Sequence, residues 1–332
     1  MKRDLTWARI WDSTRTTLQN GLTTWIMVVK LMIPALILTR LLVFFELIAP
    51  LARLFEPVMG LMGLPPEMAL VWVFGMIANL YAAISVYLTL TPLLDTALNL
   101  AQVTTLAGLC LVAHSILVEG QICRGTGLSF WRVSIFRILA GILWGVMVHQ
   151  AALVSGWGTE PARIQEFISL ASEPLPTWGV WFWLNLKQFF LVLILIESLM
   201  LLMELIKYLD LTRLLVKLLG PPLRLVGVGE SAVMVTIIGC VLGLAYGGGL
   251  IIAERHSGRL DPRDIFGAMM LMCVFHSMLE DTFIWWAMGA SLGWLLAARL
   301  ILALGLTAAL TRLARRPFWR TILVGSTGSP GP

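Results

Sequence analysis

Two short segments carry the same reactive side chains in the same order, inside otherwise apolar sequence. Each has an imidazole and a hydroxyl in succession, followed within a few residues by carboxylates. The residues are His114, Ser115 and Glu119 in the first segment and His276, Ser277, Glu280 and Asp281 in the second. Histidine titrates near neutral pH, and imidazoles and carboxylates together bind divalent cations. These residue types therefore indicate proton transfer, binding of a polar substrate or binding of a metal ion.

The spacing between the two segments extends to residues around them. Three pairs of charged or titratable residues share a separation of 162 positions, namely His114 and His276, Glu119 and Asp281, and Arg137 and Arg299. Upstream, residues 211–220 match residues 51–60 at a similar separation. Self-similarity at a fixed spacing is the signature of an internal repeat. The chain is therefore predicted to consist of two copies of one unit.

Composition indicates the class of protein. Of the 332 residues, 58% are hydrophobic and 13% are charged, whereas about a quarter are charged in soluble domains. Apolar runs of about 20 residues, the length that crosses a bilayer, recur along the chain. The sequence therefore predicts an all-α polytopic protein of the cell inner (plasma) membrane. The net charge of +5 requires no nucleic-acid partner.

Each copy is predicted to contain a span, an interfacial helix, a broken apolar run, a span with the reactive segment and a final span. In the first copy these elements cover residues 24–49, 51–63, 67–90, 104–122 and 132–154. In the second they cover residues 180–206, 211–218, 230–254, 265–282 and 291–311. The predicted organisation is a cytoplasmic amphipathic N-terminus (1–23), a first repeat (24–154), an extracytoplasmic connector (155–179), a second repeat (180–311) and a basic, then disordered cytoplasmic tail (312–332).

The topology depends on whether the broken runs cross the bilayer. If they cross, each copy has four spans and the copies are parallel. If they return as re-entrant hairpins, each copy has three spans and the second copy is inverted. The inverted topology places 17 loop cations on the cytoplasmic side and only Arg53 and Arg163 outside. The 17 cations are Lys2, Arg3, Arg9, Arg15, Arg124, Arg132, Lys207, Arg213, Lys217, Arg224, Arg255, Arg259, Arg263, Arg312, Arg315, Arg316 and Arg320. Because cytoplasmic loops are enriched in Lys and Arg, we predict two inverted-topology repeats with both termini in the cytoplasm. Each repeat is predicted to contain about three transmembrane helices, an interfacial helix and a re-entrant hairpin.

The interruptions of the two broken runs are the predicted hairpin tips. They contain Asn79 and Tyr81 in the first copy and Tyr246, Gly247, Gly248 and Gly249 in the second. Consecutive glycines let the backbone turn and approach a ligand closely, so both tips are predicted to contact the substrate. The alternative is a glycine-rich face for tight helix packing.

The reactive residues of the second segment are predicted to lie on one helix. His276 and Glu280 are four positions apart and would share a helical face, with Asp281 about 140° away from His276. His114 and Glu119 are five apart and would share no tight face. Inverted repeats bring equivalent segments together near the midplane, where transporters of this design bind their substrates. The alternative is structural pairing of the acids with the arginine of each repeat.

The tandem unit resembles the nucleoside-recognition or Gate domain family in its interfacial helix, its Gly-rich broken run and its His-Ser-x-Leu-x-Glu/Asp segment. The best-matching stretch extends from Val233 to Asp281. That family includes segments of concentrative nucleoside transporters, the membrane part of ferrous iron transport protein B, and the spore maturation proteins A and B. The resemblance implies a membrane transporter with a nucleoside-like substrate. The chain lacks a Gly-x4-Gly-Lys-Ser/Thr P-loop, so it does not resemble the whole iron transporter.

Three functions are compatible with these features. A secondary transporter or permease of a small polar solute is favoured, because inverted repeats with broken helices are an architecture of alternating access. A divalent metal-ion permease and a non-transporting membrane assembly protein are the alternatives. We expect no enzymatic activity, since no His-Glu-x-x-His and no nucleophile–base pair is present, and no cofactor. The expected partners are the lipid bilayer and a small-molecule or ion substrate, with homo-oligomerisation undecided.

Overall fold

The structure, a computed structural model, describes residues 7–162, 177–208 and 211–316, and within these ranges the chain folds into fourteen α-helices. The first seven are α1 (Trp7–Phe44), α2 (Ile48–Leu61), α3 (Met68–Ile77), α4 (Leu80–Leu90), α5 (Leu100–Val112), α6 (Ile116–Gly125) and α7 (Phe130–Ser155). The second seven are α8 (Trp178–Tyr208), α9 (Leu211–Leu225), α10 (Glu230–Leu242), α11 (Leu244–His256), α12 (Pro262–Val274), α13 (Glu280–Ala287) and α14 (Arg299–Leu313). Each helix of the first set thus has a counterpart seven places later.

Four of the helical segments are long and apolar enough to cross a membrane, and they cover residues 14–44, 130–155, 178–202 and 294–313. Helices α5 and α6 form a fifth candidate, bent by 40°. Large apolar side chains such as Ile135, Leu139 and Leu153 of α7 are exposed, as expected of helices whose solvent is lipid. The predicted all-α polytopic membrane fold is confirmed.

The two spans that carry the reactive segments were predicted as continuous helices, and this prediction is wrong. The first is broken between Val112 and Ile116, and the second between Val274 and Glu280. Ser115 and Ser277 occupy matching positions in the breaks with φ of +47° and +45°. A right-handed helix does not accommodate that left-handed conformation, so each helix ends at the reactive segment.

Both broken apolar runs fold back on themselves. A Cβ atom added to Gly75 of α3 would lie 3.1 Å from the Cβ of Ala83 in α4, and one added to Gly239 of α10 would lie 3.0 Å from the Cα of Gly247 in α11. Residues eight positions apart in a continuous helix are about 12 Å apart. Helices α3 and α4, and likewise α10 and α11, therefore form helical hairpins.

The first hairpin turns at its predicted tip, whereas the second does not turn within the glycine run of residues 247–249. In the first hairpin Asn79 lies at the tip, where its side chain accepts a hydrogen bond from Ala82 N and caps α4. In the second the tip is Gly243, whose φ of +102° is accessible to glycine at little cost. Residues 247–249 lie inside α11.

We predict that Gly247→Ala destabilises the protein by about 1–3 kcal/mol, the range seen when a methyl group is forced into a packed contact. The added Cβ would meet the backbone of Gly239 across the hairpin. Gly249→Ala is the matched control, because a Cβ at that position of the same helix has no neighbour within 4 Å. Thermal unfolding in detergent measures both variants, and equal midpoints would contradict the close packing of α10 on α11.

Candidate functional site

Each helix hairpin supports the break in the neighbouring helix. The Ser115 N–H donates to the carbonyl of Gly75 in α3, and the Met278 N–H donates to the carbonyl of Cys240 in α10, both at 2.8 Å. Non-helical backbone at membrane depth needs such protein partners, because lipid supplies none. The hairpin of each repeat therefore holds the segment that carries the histidine.

The two reactive segments meet between the repeats. Nε2 of His114 lies 3.4 Å from Nε2 of His276. Oε1 of Glu119 lies 3.3 Å from Nε2 of His276 and 3.6 Å from Nε2 of His114, and Oδ2 of Asp281 lies 3.6 Å from Nε2 of His114. All four side chains are at most 9% exposed. We call these four residues the inter-repeat cluster, in which each carboxylate contacts the histidine of the other repeat.

Backbone hydrogen bonds orient both imidazole rings in the same way. Nδ1 of His114 lies 3.1 Å from the carbonyl oxygen of Cys110, and Nδ1 of His276 lies 2.7 Å from that of Met272. A carbonyl oxygen only accepts, so Nδ1 carries the hydrogen in each ring. In the neutral rings both Nε2 atoms are therefore acceptors, and both point into the cluster.

The two repeat-related arginines are bonded differently. Arg137 donates from Nε to Val112 O at 2.8 Å and from Nη2 to His114 O at 2.9 Å, and its Nη1 is 2.6 Å from Oε2 of Glu119. Arg299 donates from Nη2 to His276 O at 3.1 Å, while its Nε and Nη1 have no hydrogen-bond partner among the described residues. Arg137 therefore forms a direct ion pair with the cluster, whereas Arg299 interacts with Asp281 without a direct ion pair between them.

The predicted pairing of His276 with Glu280 is wrong, because the chain between them is not helical and the four-residue spacing does not place them on one face. Glu280 instead accepts a hydrogen bond of 3.4 Å from the Tyr81 hydroxyl of the first repeat. Asp281, predicted to point away, joins the cluster. For the same reason His114 and Glu119 come together across a break in the helix, although a continuous helix would separate them.

The other predicted site residues lie outside the cluster. Asn79 caps α4, Tyr246 is 66% exposed, and Gly248 faces Ile122 of α6. A Cβ on Gly249 would meet nothing, and one on Gly243 would meet the Ser277 hydroxyl. For Gly247 and Gly248 the contacts match the helix-packing alternative. Ser115 shapes its break through its backbone, and Ser277 also donates a side-chain hydrogen bond to Asp281 of the cluster.

One contact near the cluster has no signal in the sequence. Sγ of Cys123 in α6 and Sγ of Cys273 in α12 lie 3.9 Å apart across the repeat interface. Both thiols are free and buried. The two cysteines are 150 positions apart, so the repeat spacing of 162 positions does not relate them, and only the tertiary fold brings them together.

These features define a multi-pass, all-α membrane protein with a charged cluster buried between two matched halves. The chain is similar to the uncharacterized membrane protein YvoD of Bacillus subtilis (strain 168), with 27% identity over 310 residues, which cover 91% of this chain and 94% of the relative. No family model matches the chain, and no solved structure matches it. The similarity supports the membrane class over nearly the whole length, and membership of the Gate domain family stays a prediction.

Proposed function

We propose that this protein is a secondary transporter whose substrate site is the inter-repeat cluster. The observation that carries the proposal is the meeting of four titratable side chains, two from each repeat, in a buried position. Such groups within membrane-spanning structure are costly and generally mark pathways for substrates, ions or protons. Transporters built from repeats place their sites at the repeat interface, next to broken helices.

Two cavities support a pathway through the molecule. One of about 480 Å³ lies at the start of α5 and is lined by Leu100, Glu160 and Ser291 among others. The other, of about 540 Å³, lies at the start of α12 and is lined by Arg263 and Thr311 among others. Helices α5 and α12 both end at the cluster, so each cavity is one helix length from it, about 20 Å for 13 residues. Under this proposal the cavities are the two entrances.

The orientation in the membrane is part of the same proposal. The loop that begins near Arg255 and the cavity at Arg263 face the cytoplasm, together with both termini. The cavity at Glu160 and the connector face outward. The charge distribution supports this arrangement, because cytoplasmic loops are enriched in Lys and Arg. Under this orientation the second repeat is inverted relative to the first.

The cluster favours an ion over a nucleoside as the species bound in this conformation. Four of the distances between its polar atoms are 3.3–3.6 Å, which suits a single ion, whereas a nucleoside requires the site to open. The nucleoside expectation comes from the resemblance to the Gate domain family, and the cation expectation comes from the side chains themselves. Uptake of uridine tests the nucleoside expectation, and uptake of Zn²⁺ tests the cation expectation.

Uptake into proteoliposomes tests the proposal. We expect the purified protein to accumulate either a nucleoside, with uridine as the probe, or a divalent cation, with Zn²⁺ as the probe. Asp281→Asn should abolish that uptake, because it removes a charged oxygen of the cluster and keeps the side-chain volume. His256→Ala is the control, since His256 is exposed at the end of α11, where its Nδ1 is bonded to the Ile252 carbonyl.

The outcomes separate the candidate functions. Uptake of either probe that Asp281→Asn abolishes and His256→Ala preserves supports a transporter. The absence of uptake of both probes by folded, inserted protein would reject it in favour of the membrane assembly role.

A further inference from the structure

We propose that the inter-repeat cluster is a binding site for a divalent first-row transition-metal ion, with Zn²⁺ as its representative. The ligands are Nε2 of His114, Nε2 of His276, Oε1 of Glu119 and Oδ2 of Asp281. As a statement about the transported species, this inference rests on the proposed transport function. As a statement about binding, it stands by itself.

The distances between the polar atoms match the edges of a metal coordination shell. In a tetrahedral site with ligands about 2.1 Å from the ion, neighbouring ligand atoms are about 3.4 Å apart. The two Nε2 atoms are 3.4 Å apart, and Oε1 of Glu119 lies 3.3 and 3.6 Å from them. Ligand atoms of His114, His276 and Asp281 all lie within 4.8 Å of one another. One ion can therefore contact ligands from both repeats.

The electronic character of the cluster also requires a cation. Both neutral imidazoles present a lone pair at Nε2, and the two carboxylate oxygens facing them are acceptors as well. Four acceptors thus converge without a donor between them. Either a proton or a metal ion must therefore lie between these acceptors.

The surroundings of the ligands match those of metal sites. Metal-bound histidines generally donate their second ring nitrogen to a carbonyl or carboxylate, which fixes the ring. Both histidines do so here, to the carbonyls of Cys110 and Met272. Glu119 is held through its other oxygen by Arg137 at 2.6 Å. Three of the four ligands are therefore oriented before an ion arrives.

The ligand set selects a class of ion. Imidazole nitrogens suit zinc, copper, iron and nickel, whereas magnesium and calcium prefer oxygen ligands alone. With two nitrogen and two oxygen donors, the site is expected to bind Zn²⁺ and Co²⁺ and to discriminate against Mg²⁺ and Ca²⁺.

Titration of the intact, metal-stripped protein in detergent tests the inference. We expect one equivalent of Co²⁺ to give the intense visible absorption of a tetrahedral site. Zn²⁺ should displace the Co²⁺, and an excess of Mg²⁺ should not. This experiment uses the unaltered chain, so its result does not depend on the folding of any variant.

Calorimetric titration with Zn²⁺ assigns the ligands. His114→Ala, His276→Ala and Asp281→Asn should each weaken binding by at least about 100-fold, since even residues that only orient a metal ligand contribute 10–100-fold. His256→Ala should leave the affinity unchanged. Glu119→Gln, which keeps the side-chain volume, adds a fourth ligand test if an alanine variant fails to fold.

The results distinguish this inference from the proposed transport function. Zn²⁺ binding that depends on the cluster without uptake would uphold the site and reject transport of the ion. Uridine uptake by a protein that binds no Zn²⁺ would uphold transport and reject the metal site. Zn²⁺ binding that is unaffected by His114→Ala and His276→Ala would also overturn the site.

Discussion

Arg137→Met is expected to reduce the membrane abundance of the protein severely. Arg137 is 1% exposed, binds the carbonyls of Val112 and His114, and forms the ion pair with Glu119. Methionine is an unbranched apolar residue that leaves a buried carboxylate and two carbonyls without their donors. Removing one partner of a buried ion pair costs about 3–5 kcal/mol, a large part of a typical stability of 5–15 kcal/mol. Quantitative immunoblotting of membranes and thermal unfolding in detergent measure the effect.

The repeat supplies a matched control for this variant. Arg299 occupies the equivalent position and is fully buried, but it makes one hydrogen bond, to His276 O, and a contact of 4.9 Å with the ring of Phe275. Arg299→Met should therefore cost much less than Arg137→Met. Adding Glu119→Gln to Arg137→Met should recover part of the loss, because the unpaired charge is then gone. Equal losses in the two arginine variants would contradict the asymmetry of the ion pair.

Under the proposed transport function, cross-linking Cys123 to Cys273 is expected to arrest uptake completely. The two thiols lie 3.9 Å apart on helices of different repeats, and alternating access requires the repeats to move against each other. Iodine oxidises the thiol pair to a disulfide and is itself reduced to iodide. Uptake into proteoliposomes should stop after oxidation and return after treatment with a reductant.

The cross-link can be verified in the same sample. Cys110→Ala and Cys240→Ala remove the other two cysteines, and a protease site inserted at the exposed Thr159 separates the two repeats after cleavage. Cross-linked halves then migrate together in denaturing gels without reductant, and Cys123→Ser abolishes this joining. Unimpaired uptake by fully cross-linked protein would mean that the repeats do not separate at this contact. Failure of the cross-link to form would contradict the contact itself.

Several features of the fold are readable from the sequence because they depend on local pattern and on spacing. Apolar runs of membrane-spanning length predict the long helices, and α7 (Phe130–Ser155) matches the predicted span 132–154 within two residues at its start. The helix predicted at residues 51–63 is present as α2 (Ile48–Leu61), and its interfacial position stays a prediction. The constant separation of 162 positions predicts that residues of the first repeat recur at matching positions in the helices of the second repeat.

The composition of the cluster depends on the tertiary structure. A four-residue spacing implies proximity only if the chain between the residues is helical, and both reactive segments lie in breaks. The breaks depend on partners distant in sequence, because the backbone groups that they free are bonded by hairpin residues Gly75 and Cys240. Asp281 rather than Glu280 therefore joins the cluster, and it lies beside His114 of the other repeat, while Glu119 lies beside His276. The candidate side chains can be read from the sequence, because their types and spacing are local, and the packing of the two repeats determines which of them meet.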